Sequence, residues 1–134
     1  MDEKTRRQKL TIPTGKLRLV IDSDAKNEVD DQFAIAWALR SPERFKIEAV
    51  YAAPFSHTVF RHNLGDFDYQ IKELPEEGME LSYQEILKIF RLLDENPEDR
   101  VFRGATEYIN EMNQPVHSNA VHDLISRGMN SEEP

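Results

Sequence analysis

Apolar residues are grouped into short runs along this chain, and the most informative arrangement spans residues 17–40, LRLVIDSDAKNEVDDQFAIAWALR. The run Leu17–Ile21 is nearly continuous in β-prone residues, which is typical of a strand buried on both faces of a parallel sheet. Four acidic residues follow, and then a second apolar segment, Phe33–Leu39, predicts a helix. Asp30 or Asp31 is predicted to cap that helix, because carboxylates satisfy free backbone N–H groups there. The pattern therefore predicts a strand, an acidic loop and a helix.

A second strand is predicted at residues 45–53, where polar and apolar residues alternate before the segment becomes apolar. Together with the first strand and helix it makes a β-α-β unit and hence a parallel sheet. Residues 55–81 predict a long irregular segment, a kind of loop that is usually functional or disordered. Ser82 and Glu85 have the spacing of a capping box and predict the start of a helix. Its apolar face is then Ile86, Leu87, Ile89, Phe90, Leu92 and Leu93.

The last third of the chain predicts one more strand and one more helix. The strand lies within residues 101–105, is short, and ends at Gly104. The helix is predicted at residues 119–127, with Gly128 as its C-terminal stop. Its inward-facing residues are then Val121, Leu124 and Ile125.

The predicted domain organisation has three parts. Residues 1–14 form a charged, mobile lead-in, residues 15–129 carry the α/β elements, and residues 130–134 form a polar tail. The fold class predicted for the central part is α/β, with a Rossmann-like parallel sheet and flanking helices.

Composition narrows the classes of function. The chain has 134 residues, a formal net charge of −8 and 39% hydrophobic residues. A nucleic-acid or anionic-membrane partner is therefore not expected, because either requires a basic face. The sequence has no cysteine, which excludes disulfides, thiolate nucleophiles and cysteine-bound zinc. No apolar run is long enough to span a bilayer, and the N-terminus lacks the apolar core of a signal peptide, so a cytoplasmic location is expected.

The acidic loop is the strongest candidate for chemistry. Asp22, Asp24, Asp30 and Asp31 lie within ten residues at the carboxyl end of a strand, where open α/β sheets bind ligands. Carboxylates this close repel one another unless a hard cation such as calcium or magnesium lies among them. The alternative is a solvated acidic loop with one capping Asp. An EF-hand is excluded, because Phe33 stands where that loop needs a bidentate Glu.

The same residues resemble the N-terminal signature of the calcium-dependent nucleoside hydrolases, the inosine–uridine-preferring ribohydrolases. That signature is a strand ending in D-x-D, a short turn, D-D and an apolar helix, matched here by residues 22–24, 30–31 and 34–39. The connector, residues 25–29, is two residues longer than the commonest form and lacks its Pro-Gly. Two further segments resemble the family. They are Gly78-Met79-Glu80 with Ser82-Tyr83, and Arg103-Gly104-Ala105.

The resemblance implies a role for each acidic residue. Asp24 would ligate calcium and act as general base on the metal-bound water, and Asp31 would ligate calcium. Asp22 would support the metal, and Asp30 would hold the ribose hydroxyls of a nucleoside substrate. The implied reaction is hydrolysis of the N-ribosyl bond. His57 stands near the family's ribose-contacting Asn and is expected to face the substrate rather than a metal.

Two alternatives remain open at the level of the sequence. A strand followed by D-x-D also opens the haloacid-dehalogenase-type phosphohydrolases, although Ala25 stands where those usually have Thr or Val. The resemblance covers only the first part of the nucleoside-hydrolase domain. The second alternative is therefore that the chain is a truncated, inactive piece that binds a metal or a partner. Such a piece would form a homo-oligomer or pair with a completing C-terminal half.

Overall fold

A three-stranded parallel sheet with helices on both faces forms the body of the protein. The computed structural model describes residues 1–56, 74–109 and 114–130, together with the backbone of two strands at 58–63 and 66–71. The elements in chain order are α1 (Glu3–Lys9), β1 (Leu17–Ser23), α2 (Val29–Leu39), β2 (Phe45–Ala52), β3 (Thr58–Asn63), β4 (Asp66–Ile71), α3 (Pro75–Leu92), β5 (Val101–Arg103) and α4 (Asn119–Met129).

The strand order in the main sheet is β1-β2-β5, and both pairings are parallel. All three carboxyl ends therefore meet at one edge, which we call the carboxyl edge. Ser23 lies beside Ala52 there, and Ala52 in turn lies beside Arg103. A register shift leaves Glu48 as the extra residue of β2 opposite β1. The α/β class and the parallel β-α-β unit predicted from the sequence are confirmed.

The core is divided between the two faces of the sheet. The side chains of Ile35, Val50 and Phe90 belong to one buried cluster, which joins α2 and α3 to the sheet. On the other face Tyr51 and Ala120 belong to a smaller cluster, which joins α4 to β2. The alternation of Val50 and Tyr51 between clusters follows from the two-residue period of a strand. Helices on both faces shield such a strand from solvent, as its apolar sequence requires.

Two predicted helix starts are wrong. Glu28, rather than Asp30 or Asp31, is the N-cap residue of α2, and the two aspartates lie in the first helical turn. They still face the positive end of the helix dipole, so the electrostatic reason for their position holds. Helix α3 begins at Pro75, seven residues before Ser82. Proline is favoured at the first helical position, and the Glu77 carboxylate accepts a hydrogen bond of 3.0 Å from the backbone N–H of Leu74.

Other differences concern the connections and α4. The segment predicted as irregular contains the antiparallel pair β3 and β4 as well as the first turns of α3. Helix α4 continues through Gly128, which therefore does not stop it. Val121, Leu124 and Ile125 are exposed rather than inward, and Ala120 is the buried residue of this helix.

The ends of the described chain show two further features. Helix α1, inside the segment predicted to be a mobile lead-in, buries none of its residues. Within the described ranges no helix is long and apolar enough to cross a membrane.

Candidate carboxylate site

The first acidic pair lies at the carboxyl edge because β1 ends there. Asp22 and Ser23 are the last two residues of β1, and Asp24 follows directly. The Ser23 carbonyl accepts a hydrogen bond of 2.9 Å from the backbone N–H of Ala53, which extends the sheet by one bond beyond β2. The backbone that carries Asp22 and Asp24 is therefore held by the sheet rather than by a free loop.

One hydrogen bond joins Asp31, from the second acidic pair, to Ser23, which lies between the two members of the first pair. The buried Ser23 hydroxyl donates to Oδ1 of Asp31 over 2.9 Å, across eight residues of sequence. Asp31 is half-buried in the first turn of α2, whereas its neighbour Asp30 is exposed. The structure thus brings the start of α2 back against the end of β1.

Asn27 organises the connector around Asp24. Its backbone N–H donates to the Asp24 carbonyl over 2.7 Å, and its side-chain amide donates to Oδ2 of Asp24 over 2.9 Å. Ala25, the next residue after Asp24, is fully buried. On the α2 side, the Gln32 amide donates to the Ala25 carbonyl over 3.3 Å. The connector is therefore fixed at its start, and one oxygen of Asp24 is engaged by Asn27.

The surroundings of Asp22 disfavour the ionised form of its carboxyl group. Asp22 is solvent-accessible, yet partial desolvation raises the pKa of its carboxyl, and repulsion from Asp24 raises that pKa further. A cavity of about 180 Å³ lies beside it, between the ends of β2 and β5 and the start of α4. Its wall includes Asp22, Tyr51, Pro54, Gly104, Val121 and Leu124. A cation between Asp22 and Asp24 would remove the repulsion between them.

The donors at this edge are carboxylate oxygens, which hard cations such as calcium and magnesium prefer. A metal site also requires that at least three ligands converge on one point. Within the described ranges, no three His, Asp or Glu side chains are placed so that they could hold a metal ion. Asp31 is turned to Ser23, and Asp24 shares an oxygen with Asn27. The predicted ligands Asp22, Asp24 and Asp31 are thus not arranged around a common point.

Four residues for which the sequence predicts no site role also shape this edge: Ser23, Asn27, Lys26 and Glu85. Lys26 of the connector bonds the buried Glu85 of α3 over 3.3 Å. A signal for Glu85 was present, since it shares the buried face of α3 with Ile86 and Ile89. A charged residue there requires a partner. The predicted substrate residue His57 lies outside the described residues.

No protein-family model, curated protein or solved structure matches the chain.

Proposed function

We propose that the carboxyl edge of this sheet is the calcium and ribose site of a nucleoside-hydrolase-like enzyme that cleaves the N-glycosidic bond of ribonucleosides. The observation that carries the proposal is the hydrogen bond of 2.9 Å from Ser23 to Asp31. It places Asp31 of the sequence signature against Ser23, the residue between Asp22 and Asp24. The proposal includes a Rossmann-like, nucleoside-hydrolase-like fold for the domain and a cytoplasmic location.

Each acidic residue then has a task that follows from its position. Asp22, Asp24 and Asp31 would hold the calcium ion, for which Asp31 must turn from Ser23 towards Asp24. The ion, when bound, supplies a polarised water molecule. Asp24 would accept a proton from that water through the oxygen that Asn27 does not engage, while the sheet holds its backbone. Asp30, exposed in the first turn of α2, would bind the ribose hydroxyls, and His57 would face the substrate.

The charge requirements of the reaction support this assignment. Cleavage of an N-ribosyl bond builds positive charge on the sugar, and fixed carboxylates stabilise such charge. The cavity of about 180 Å³ beside Asp22 has the size for part of a small molecule. Its lining is mostly apolar, from Pro54, Val121 and Leu124 among others. That lining suits a flat ring better than a phosphate, which favours a nucleoside over a phosphomonoester as substrate.

The test is release of reducing sugar from inosine and uridine, with calcium and then with a chelator. We expect calcium-dependent release that Asp24→Asn abolishes. Asp94→Asn is the matched control, because Asp94 is exposed beyond the end of α3 and its positive φ of 56° suits Asn. Equal release by the wild type and Asp24→Asn, or no release by the wild type, would contradict the proposal. Release of phosphate from phosphomonoesters would instead favour a phosphohydrolase.

A second candidate function, partner binding without catalysis, is favoured by one observation. Val29, Phe33 and Trp37 are 62%, 71% and 67% exposed, and their spacing of four residues places them in one stripe along α2. A helix that is apolar on its outer face as well as its inner face is normally covered. Light scattering after size exclusion would show a defined oligomer that Phe33→Glu dissociates. A monomer at all concentrations would argue against self-association.

A further inference from the structure

Glu85 is a buried acid in a helix face that is otherwise suited to core packing. Its side chain is only 8% exposed, and it shares the inner face of α3 with Ile86, Ile89 and Phe90. Burying a carboxylate is unfavourable unless it is paired. An apolar residue would pack there without that penalty, so the charge calls for a specific partner.

The partner that crosses to another element is Lys26. Its ammonium lies 3.3 Å from Oε2 of Glu85, and the two residues are 59 positions apart in sequence. The other partner, Lys88, lies one turn along the same helix, 2.9 Å from Oε1. These contacts lower the pKa of Glu85, the bond from Lys88 contributing most. The pair with Lys26 is therefore the one that ties α3 to the connector.

The connector is the segment that separates the two acidic pairs. Its residues on either side of Lys26 are also fixed, since Ala25 is fully buried and Asn27 bonds Asp24 twice. With Lys26 held by Glu85, three consecutive residues are anchored to three different parts of the molecule. A connector that is longer and has no proline has more backbone freedom to lose than a short turn that contains proline. Anchoring from outside the loop compensates for that freedom.

The same contact also sets the direction in which the ammonium of Lys26 points. Its ammonium is the positive group of the connector, and aspartates precede and follow that segment. Directed towards Glu85, it leaves the carboxylates available to a cation. Released, it would be drawn to Asp24 or Asp31 by charge. The contact thus orders the connector and directs Lys26 away from the aspartates. Both effects keep the carboxylates accessible to a cation.

We propose that Glu85 is a positioning residue for the carboxylate site and acts through Lys26. The inference rests on the proposed function for its link to calcium, but its structural part is independent of calcium. Glu85 touches neither substrate nor metal. Its effect is to hold the connector so that Asp24 and Asp31 approach each other from its two ends.

Amide hydrogen exchange tests the structural part on the full chain without calcium. The reporter is the N–H of Asn27, which bonds the Asp24 carbonyl, and the reference is the N–H of Gly104, which bonds the Ala52 carbonyl. In Glu85→Gln we expect exchange at Asn27 to rise about tenfold while Gly104 is unchanged, because the opening is local. Lys88→Met is the matched control, since it removes the other partner of Glu85 and leaves the connector contact in place. Unchanged exchange at Asn27 in Glu85→Gln, or an equal rise in Lys88→Met, would overturn the proposal.

A double-mutant cycle on calcium affinity tests whether Glu85 acts through Lys26. Lys26→Met and Glu85→Gln should each weaken calcium binding, and the double variant should be no weaker than Glu85→Gln alone. Fully additive losses would overturn the proposal, as would wild-type calcium affinity in Glu85→Gln. If Glu85→Gln does not fold, Lys26→Met carries the exchange test, because Lys26 is half-exposed. A wild type that binds no calcium, with exchange at Asn27 raised as expected, would refute the proposed function and leave the positioning role standing.

Discussion

Replacing Gly78 by alanine should destabilise this protein, although alanine is the better helix former. Gly78 lies in the first turns of α3, where the backbone of Phe55 passes against it. An alanine Cβ would lie 2.8 Å from the amide nitrogen and 2.9 Å from the carbonyl carbon of Phe55, and closer still to its carbonyl oxygen. All three contacts are with backbone, so no side chain can rotate away. Either α3 or the chain that leaves β2 must move.

The magnitude follows from two opposed effects. Alanine in place of glycine in a helix interior gains about 1 kcal/mol. Against this, forced overpacking costs about 1–3 kcal/mol, and more where backbone has to shift. Phe55 is itself buried, so moving its backbone also disturbs the packing of its ring. We expect a net loss of about 2 kcal/mol, or roughly 5–10 °C in Tm for a domain of this size.

Thermal unfolding followed by circular dichroism is the assay, and Gly128→Ala is the matched control. Gly128 is also helical, in α4, but a Cβ there meets nothing within 4 Å. Its alanine variant should unfold at the wild-type Tm or above it, by up to about 1 kcal/mol of added stability. Opposite signs at the two glycines would support the close approach of α3 to Phe55. A Gly78→Ala variant as stable as Gly128→Ala would refute the reasoning.

Three further predictions concern the network that holds the sheet and its helices. Tyr51→Phe should lower the stability by about 1 kcal/mol in chemical denaturation, because the Tyr51 hydroxyl donates to Asp123 over 2.7 Å and so ties β2 to α4; an unchanged midpoint would contradict this. The pKa of Glu48 is lowered from 4.5, chiefly by its hydrogen bond from Lys46. The Glu48 carboxylate therefore stabilises the fold above pH 4.5, and this stabilisation is lost as the pH falls through the lowered pKa. Glu48→Gln should therefore flatten the fall of Tm between about pH 5 and 3, and an equally steep fall would count against it. Trp37→Gln should lower Tm only slightly, because this side chain is 67% exposed and meets Phe45 edge-on, and a large fall in Tm would show that Trp37 is covered, in the core or in an interface between copies.

The elements that the sequence predicts correctly are those whose pattern is local. Strand β1, strand β2 and their parallel pairing follow from apolar runs around a helix, and each is found within two residues of its predicted bounds. Helix α3 starts at Pro75, seven residues before the start that the capping-box spacing of Ser82 and Glu85 predicts. Both of those polar residues are buried in the middle of the helix. The capping interpretation is wrong because these side chains face the core.

The contacts that shape the carboxylate site could be predicted only in part. Clustering of Asp22 and Asp24 follows from their places at the end of one strand. The bond from Ser23 to Asp31 and the pair of Lys26 with Glu85 depend on how α2 and α3 pack, which no local pattern specifies. The exposure of Leu124 likewise reflects the placement of α4 on the sheet rather than the periodicity of its sequence.

Thermal unfolding with calcium, and then with a chelator, tests the calcium site most directly. A ligand that binds only the folded form adds about 2.7 kcal/mol at 100 times its dissociation constant, which is a shift of several degrees. We predict that calcium raises the Tm of the wild type and of Asp94→Asn, and leaves the Tm of Asp24→Asn and Asp31→Asn unchanged. A wild-type Tm that calcium does not move, or an equal rise in Asp24→Asn and Asp31→Asn, would contradict a calcium site at this edge of the sheet.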